Sequence, residues 1–168
     1  WYDLATKYLA AAKASGYEGK DSDQYLGLCY AGMQNHGEAV KHFEDALKAG
    51  PSDVLMLSAA ISYKELGDSA RTENLLSSVV SSASDALIVQ RARFILGEMA
   101  TAGGDWAKAA SIYQSVVDTD PRSAEGWYRL GLVAEAQNDP IKARADWRKA
   151  TSIDPNHVEA RKKLAGRL

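Results

Sequence analysis

His36, His42, His157 and Cys29 are the residues best suited to hold a transition metal or to act as a nucleophile. Metal ligands usually come in closely spaced pairs, because one turn or helix must present both to the same ion. The histidines fall at no such spacing among themselves or with Cys29, so they read as structural or surface residues, and no metal or other cofactor is implied. Cys29 borders an apolar helical stripe and reads as a small buried hydrophobe, with a reactive thiol as the alternative. The acids Glu44 and Asp45 are adjacent on a helix surface and read as solvated. Gly103-Gly104 ends a helix rather than cradling a phosphate, and no phosphate-loop, dinucleotide, zincin or serine-hydrolase motif occurs. No catalytic constellation remains, and the chain reads as a non-enzyme.

Two further clusters have double readings. Ser77, Ser78, Ser81, Ser82 and Ser84 could form a phosphorylation segment, but they coincide with an irregular helix end and are read as that. Arg161, Lys162, Lys163 and Arg167 could meet anionic lipid or nucleic acid; the alternative is the solvated face of a terminal helix, where cations near the C-terminus are favoured. The net charge of -2 removes the bulk electrostatic argument for nucleic acid as a partner. Charge is unevenly spread: residues 122–168 hold ten Lys/Arg against six Asp/Glu, and the preceding residues are correspondingly acidic.

Composition places these side chains on a globular scaffold, with 46% hydrophobic and 25% charged residues in 168. The longest apolar stretch, around Val54 to Ile61, is far shorter than the roughly 18 to 20 residues a membrane-spanning helix needs. A single cysteine excludes an internal disulfide framework and suits any compartment. Because the first residue is Trp1, a processed product or a piece of a longer protein is expected.

The scaffold repeats. Pro121 and Pro155 are 34 residues apart, and Pro51 lies 70 before Pro121. Setting each proline at position 32 starts units at Lys20, Gln90 and Ala124, with a weaker unit from Asp53 ending on Ser84. Position 8 is then Gly27, Ala60, Gly97 and Gly131; position 20 is Ala39, Thr72, Ala109 and Ala143; position 24 is Phe43, Leu76, Tyr113 and Trp147. Positions 4, 7, 8 and 11 make one helical stripe and 20, 24 and 27 another, so each unit predicts two amphipathic helices facing each other. Small residues at 8 and 20 admit close backbones, and the large residue at 24 fills the space beside them.

The turns give an independent check. Asn35, Asp68, Asp105 and Asp139 stand where each second helix should start, and all four cap well. Of the residues before them, Gly67, Gly104 and Asn138 tolerate a left-handed helix end, while Gln34 is not of that kind. Pro140 follows its cap as a first helical residue. At the ends, Ala5, Leu9 and Ala12 repeat the second-helix spacing, and Asn156 is the expected cap of a last helix. Further protein beyond both ends is expected, or a solvating cap at the C-terminal one.

The pattern resembles the tetratricopeptide repeat, whose consensus has Trp, Leu-Gly, Tyr, Ala, an aromatic, Ala and Pro at these offsets. The unit from Ala124 departs only in Ala134, and that from Lys20 in Asp23; the unit from Gln90 has Arg93 in place of the Trp, and the unit from Asp53 is the most degenerate. The resemblance implies an all-α fold, helix-turn-helix repeats stacked into a right-handed superhelix (α-solenoid). One domain over 1–168 then comprises a partial repeat at 2–14, repeats at 20–52, 53–86 (degenerate), 87–123 (extended first helix) and 124–157, and a partial repeat or capping helix at 158–168.

In that family the first helices line a concave face. Positions 5 and 9 lie roughly 120° around the first helix from its core stripe, and here they are Gln24 and Leu28, Leu57 and Ile61, Phe94 and Glu98, Tyr128 and Leu132. Six of the eight are apolar or aromatic. Two readings follow: an apolar groove that binds a peptide or amphipathic helix of another protein, or a stripe that neighbouring first helices bury between themselves. The family's carboxylate-clamp pair, Lys at 5 with Asn at 9, is not matched by Gln24 with Leu28, which disfavours capture of a chaperone tail by that route. The functional expectation is a non-catalytic protein-interaction scaffold. The alternatives are head-to-tail homo-oligomerisation of unlike-charged ends, or a docking arm of a larger enzyme or secretion component.

Overall fold

The computed structural model describes residues 1–16, 19 and 21–166, so the expected unit start at Lys20 and the basic Arg167 lie outside the described residues. Ten helices follow one another among the described residues, and no strand occurs among them: α1 Tyr2–Ala14, α2 Ser22–Gly32, α3 His36–Ala49, α4 Asp53–Glu65, α5 Ser69–Ser82, α6 Ala86–Ala102, α7 Trp106–Thr119, α8 Ala124–Ala136, α9 Pro140–Ile153 and α10 Val158–Ala165. The chain forms two compact units, Trp1–Ala92 and Arg93–Leu168, with the division inside α6.

The turns explain why helices start and stop where they do. The side chains of Asn35, Asp68, Asp105 and Asp139 accept hydrogen bonds from the N–H groups of Glu38, Arg71, Lys108 and Lys142, at 3.3, 3.0, 3.0 and 2.9 Å. Each cap satisfies a donor that the first turn cannot. The residues before them, Gln34, Gly67, Gly104 and Asn138, have φ of 61°, 78°, 74° and 59°. Gln34 thus adopts the left-handed conformation despite its side chain, because the turn geometry is common to all four units. One cap differs from expectation. His157, not Asn156, starts α10, its Nδ1 accepting from the N–H of Ala160 at 3.3 Å. Asn156 instead donates its N–H to Asp154 Oδ1 at 2.9 Å, which places it one residue outside the helix start.

In the first unit, Ala39, Val40, Phe43 and Ala46 of α3 pack with Leu55, Ala59 and Tyr63 of α4. A Cβ on Gly27 would sit 2.5 Å from the Phe43 ring, so glycine is what lets α2 and α3 approach. The second unit repeats the contact twice: Gly97 lies under Tyr113, and Gly131 under Trp147, where an added Cβ would overlap the indole. Phe43, Tyr113 and Trp147 are all fully buried. Glycine beneath a buried aromatic therefore sets the distance between paired helices. In the α4–α5 pair Ala60 and Leu76 take these places, and Thr72 satisfies its buried hydroxyl by donating to the Asp68 carbonyl at 2.7 Å.

Candidate partner-binding surface

The helix α4 has two faces with different jobs. Leu55, Ala59 and Tyr63 point into the core shared with α3. Val54, Leu57, Ser58 and Ile61, on the other side, line a crevice of about 330 Å³ together with Leu87, Ile88 and Arg91 of α6. Val54 is 50% and Leu87 75% exposed, whereas Leu57 is buried at the base. The far wall exists because α6 starts early: Asp85 accepts the Leu87 N–H at 2.8 Å, which adds a helical turn ahead of Gln90. Leu87 and Ile88 precede Gln90 and so escape the repeat alignment, whereas Val54 and Arg91, at position 2 of their units, lie outside its core and groove positions; the legible signal was the acid Asp85 followed by the apolar run Ala86 to Val89.

The structure brings Leu57 and Ile61 together, but Gln24 lines a separate hollow with Asp21, Ala46, Ala49, Gly50 and Leu55. Leu28 and Tyr25 stand exposed on α2. In the second unit the named residues also join helix packing. Phe94 lies beside Tyr113, with ring centroids 6.2 Å apart, and Tyr128 lies beside His157 at 4.9 Å. Leu132 and Tyr128 pack against the cluster around Trp147 and Ala160. Glu98 is held by Arg129 at 3.2 Å, and Arg129 also meets Glu125 at 2.5 Å.

Each histidine has a local partner. His42 Nδ1 lies 2.8 Å from Asp23 Oδ1 and its ring stacks on Tyr30; His36 Nδ1 faces Ser62 Oγ at 3.3 Å; His157 Nε2 faces Glu125 Oε2 at 3.2 Å. Burial raises the Asp23 carboxyl, but hydrogen bonds from Lys13 and His42 outweigh it and hold the group below its usual range. Tyr63 is pushed up to about 12 by burial and by its hydrogen bond to Glu44. Among the described residues no group of three or more His, Cys, Asp or Glu is placed to hold a metal ion, and no helix is long and apolar enough to cross a membrane.

Paired helices with glycine-aromatic contacts and half-open first-helix faces define a helical repeat protein of the interaction-scaffold class. The chain belongs to the tetratricopeptide repeat family: profiles of that repeat match residues 26–53, 57–124 and 124–157. Similar folds include YrrB, described as a TPR protein with an unusual peptide-binding site (22% identical, TM-score 0.81, covering 98% of this chain and 84% of that one). Another is the C-terminal part of a TPR repeat-containing protein from Cytophaga hutchinsonii (14%, 0.87, 98% and 64%), and a third is MamA (15%, 0.80, 94% and 85%). A sequence relative, mouse protein O-mannosyl-transferase TMTC1, is 24% identical over 140 residues; the match covers 83% of this chain and 12% of that protein. The fold is that of an α-solenoid, and this repeat generally serves as a non-catalytic scaffold for proteins or peptides.

Proposed function

We propose that this chain is a non-catalytic scaffold whose first-helix faces hold a peptide or amphipathic helix of another protein. The observation that carries the reading is the α4–α6 crevice: Leu57 and Ile61 share it with Val54 and Leu87, whose apolar surface stands exposed. The peptide-binding site ascribed to YrrB is in keeping with it. Selection of binders from a random peptide display library, followed by amide shift mapping, tests the proposal. Shifts should concentrate at Gln24, Leu28, Leu57, Ile61, Phe94, Glu98, Tyr128 and Leu132. Shifts confined to the second helices would overturn it. The double change Phe94→Ala, Tyr128→Ala should weaken binding by about 2 kcal/mol or more if both rings are anchors. Because these rings also touch Tyr113 and His157, urea melts are followed in parallel.

A second reading is head-to-tail self-association. It is favoured by a hollow of about 310 Å³ on α10 lined by Val158, Arg161, Lys162 and Ala165, and by α1, which has no buried residue. Sedimentation at rising concentration should then show association that weakens steeply with salt, since exposed charges are screened within about 8 to 10 Å. A monomer at high concentration excludes it. Similarity to about an eighth of TMTC1 supports the same module acting as a docking arm within a longer chain.

A further inference from the structure

The other arginines that α5, α6 and α8 place near first-helix faces are already engaged. Arg71 meets Glu44 at 3.1 Å and lies over the Tyr63 ring, Arg93 donates to Thr119 Oγ1 at 2.9 Å, and Arg129 joins Glu98 and Glu125. Arg91 is exposed and has no hydrogen-bond or ion-pair partner among the described residues. It also borders the apolar crevice, where Val54, Leu57, Ile61, Leu87 and Ile88 supply the remaining apolar wall. A guanidinium is weakly hydrated and presents a planar fork of donors, so a carboxylate held against it beside aliphatic walls gains more than one in open water.

We infer that the crevice takes an aliphatic side chain of a partner segment and that Arg91 holds a carboxylate of the same segment. The inference rests on the proposed binding role of the first-helix faces and specifies its partner chemistry. From Leu87 to Arg91 is one helical turn, roughly 6 Å along α6. Alternate residues of an extended chain point the same way and are roughly 6.6 Å apart. An extended segment with an aliphatic residue followed or preceded two positions away by Asp or Glu therefore fits both features. One acid suffices, and a run of acids is disfavoured, because residues 1–121 hold sixteen Asp/Glu against ten Lys/Arg.

The test uses fluorescein-labelled peptides taken from the display selection, each made with its acid intact and with that acid replaced by Lys. On the wild-type chain the acidic versions should bind about tenfold more tightly, as for a charge pair beside an apolar contact. On Arg91→Glu the preference should reverse, while Leu87→Ser should weaken both versions. Both positions are exposed, so fold is expected to persist, and a matching circular dichroism melt checks this. The same preference on wild type and Arg91→Glu would overturn the inference alone, if the peptides still map to Phe94 and Tyr128. No enriched peptide would overturn it together with the groove reading. Mass doubling that Leu87→Ser abolishes would also overturn it, by making the occupant a second copy of this chain.

Discussion

The residue just before the buried aromatic of the second helix is His42 in the α2–α3 pair and Asp146 in the α8–α9 pair. His42 is matched: Asp23 accepts from it at 2.8 Å, Tyr30 stacks on it, and Lys13 joins Asp23 at 2.6 Å. Asp146 is not. It is 7% exposed, and its Oδ2 is buried without a hydrogen-bond partner among the described residues. The position that holds Asp23 in α2 holds Trp127 in α8, whose indole N–H already donates to the Pro121 carbonyl at 3.0 Å. Repeat register decides which residues face the partner helix; it does not ensure that a polar residue there finds its complement. The two pairs are alike in how they pack and unlike in how they satisfy polarity.

The packing they share gives the largest expected effect. Gly131→Leu must displace the Trp147 indole, and Gly27→Leu the Phe43 ring. Overpacking of this kind costs about 1 to 3 kcal/mol or more, and the helix-propensity gain of under about 1 kcal/mol does not offset it. Both variants should lose several tenths of their urea midpoint or fail to melt cooperatively. A midpoint unchanged in one variant alone would break the likeness between the pairs.

That contact was fully legible in the sequence, because glycine at one offset and an aromatic sixteen residues later recur in three units. The capped turns were legible too, since Asp and Asn act through their immediate neighbours. The candidate surface was legible only in part. Leu57 and Ile61 follow from register, but Leu87 and Ile88 sit in the turn of α6 ahead of Gln90, and Arg91, at position 2, is at none of the positions that register assigns to a face. The neighbours of Phe94 and Tyr128, Tyr113 and His157, are far away in sequence, and only the packed chain brings them alongside. The His157 cap was missed because Asp154 claims the N–H of Asn156 and shifts the helix start by one residue.

The polar slot offers a smaller effect in the first pair. Asp23→Asn removes the charge that Lys13 and His42 share, and should cost about 1 kcal/mol at pH 7. The Asp23 carboxyl is held below its ordinary range, so its contribution is present above the unfolded value of 3.8 and is lost as pH falls through the lower folded value. Urea midpoints of wild type and variant should therefore converge below about pH 3. A gap that persists in strong acid would mean that Asp23 acts by shape rather than by charge.

The smallest effect has the opposite sign. Burial raises the Asp146 carboxyl above 3.8, with Lys142 opposing and Asp139 adding to the rise. For an acid whose folded value is raised, the folded chain binds the proton more tightly than the unfolded one, so stability falls as pH climbs from the unfolded value through the folded one. At pH 7 the charge is therefore a net cost, without the paired partner that Asp23 has. Asp146→Asn keeps the shape, removes the charge, and supplies an amide that can donate. It should raise the urea midpoint at pH 7 by the equivalent of about 0.5 to 1 kcal/mol, and by less at pH 3, where the acid is protonated in both states. His42→Asn, at the corresponding place in the first pair, should instead lower the midpoint, because it leaves Asp23 with Lys13 alone. Opposite signs at one register position are the sharpest form of the comparison. If Asp146→Asn is destabilising at pH 7, the carboxylate has a donor, and the two slots differ in partner rather than in satisfaction.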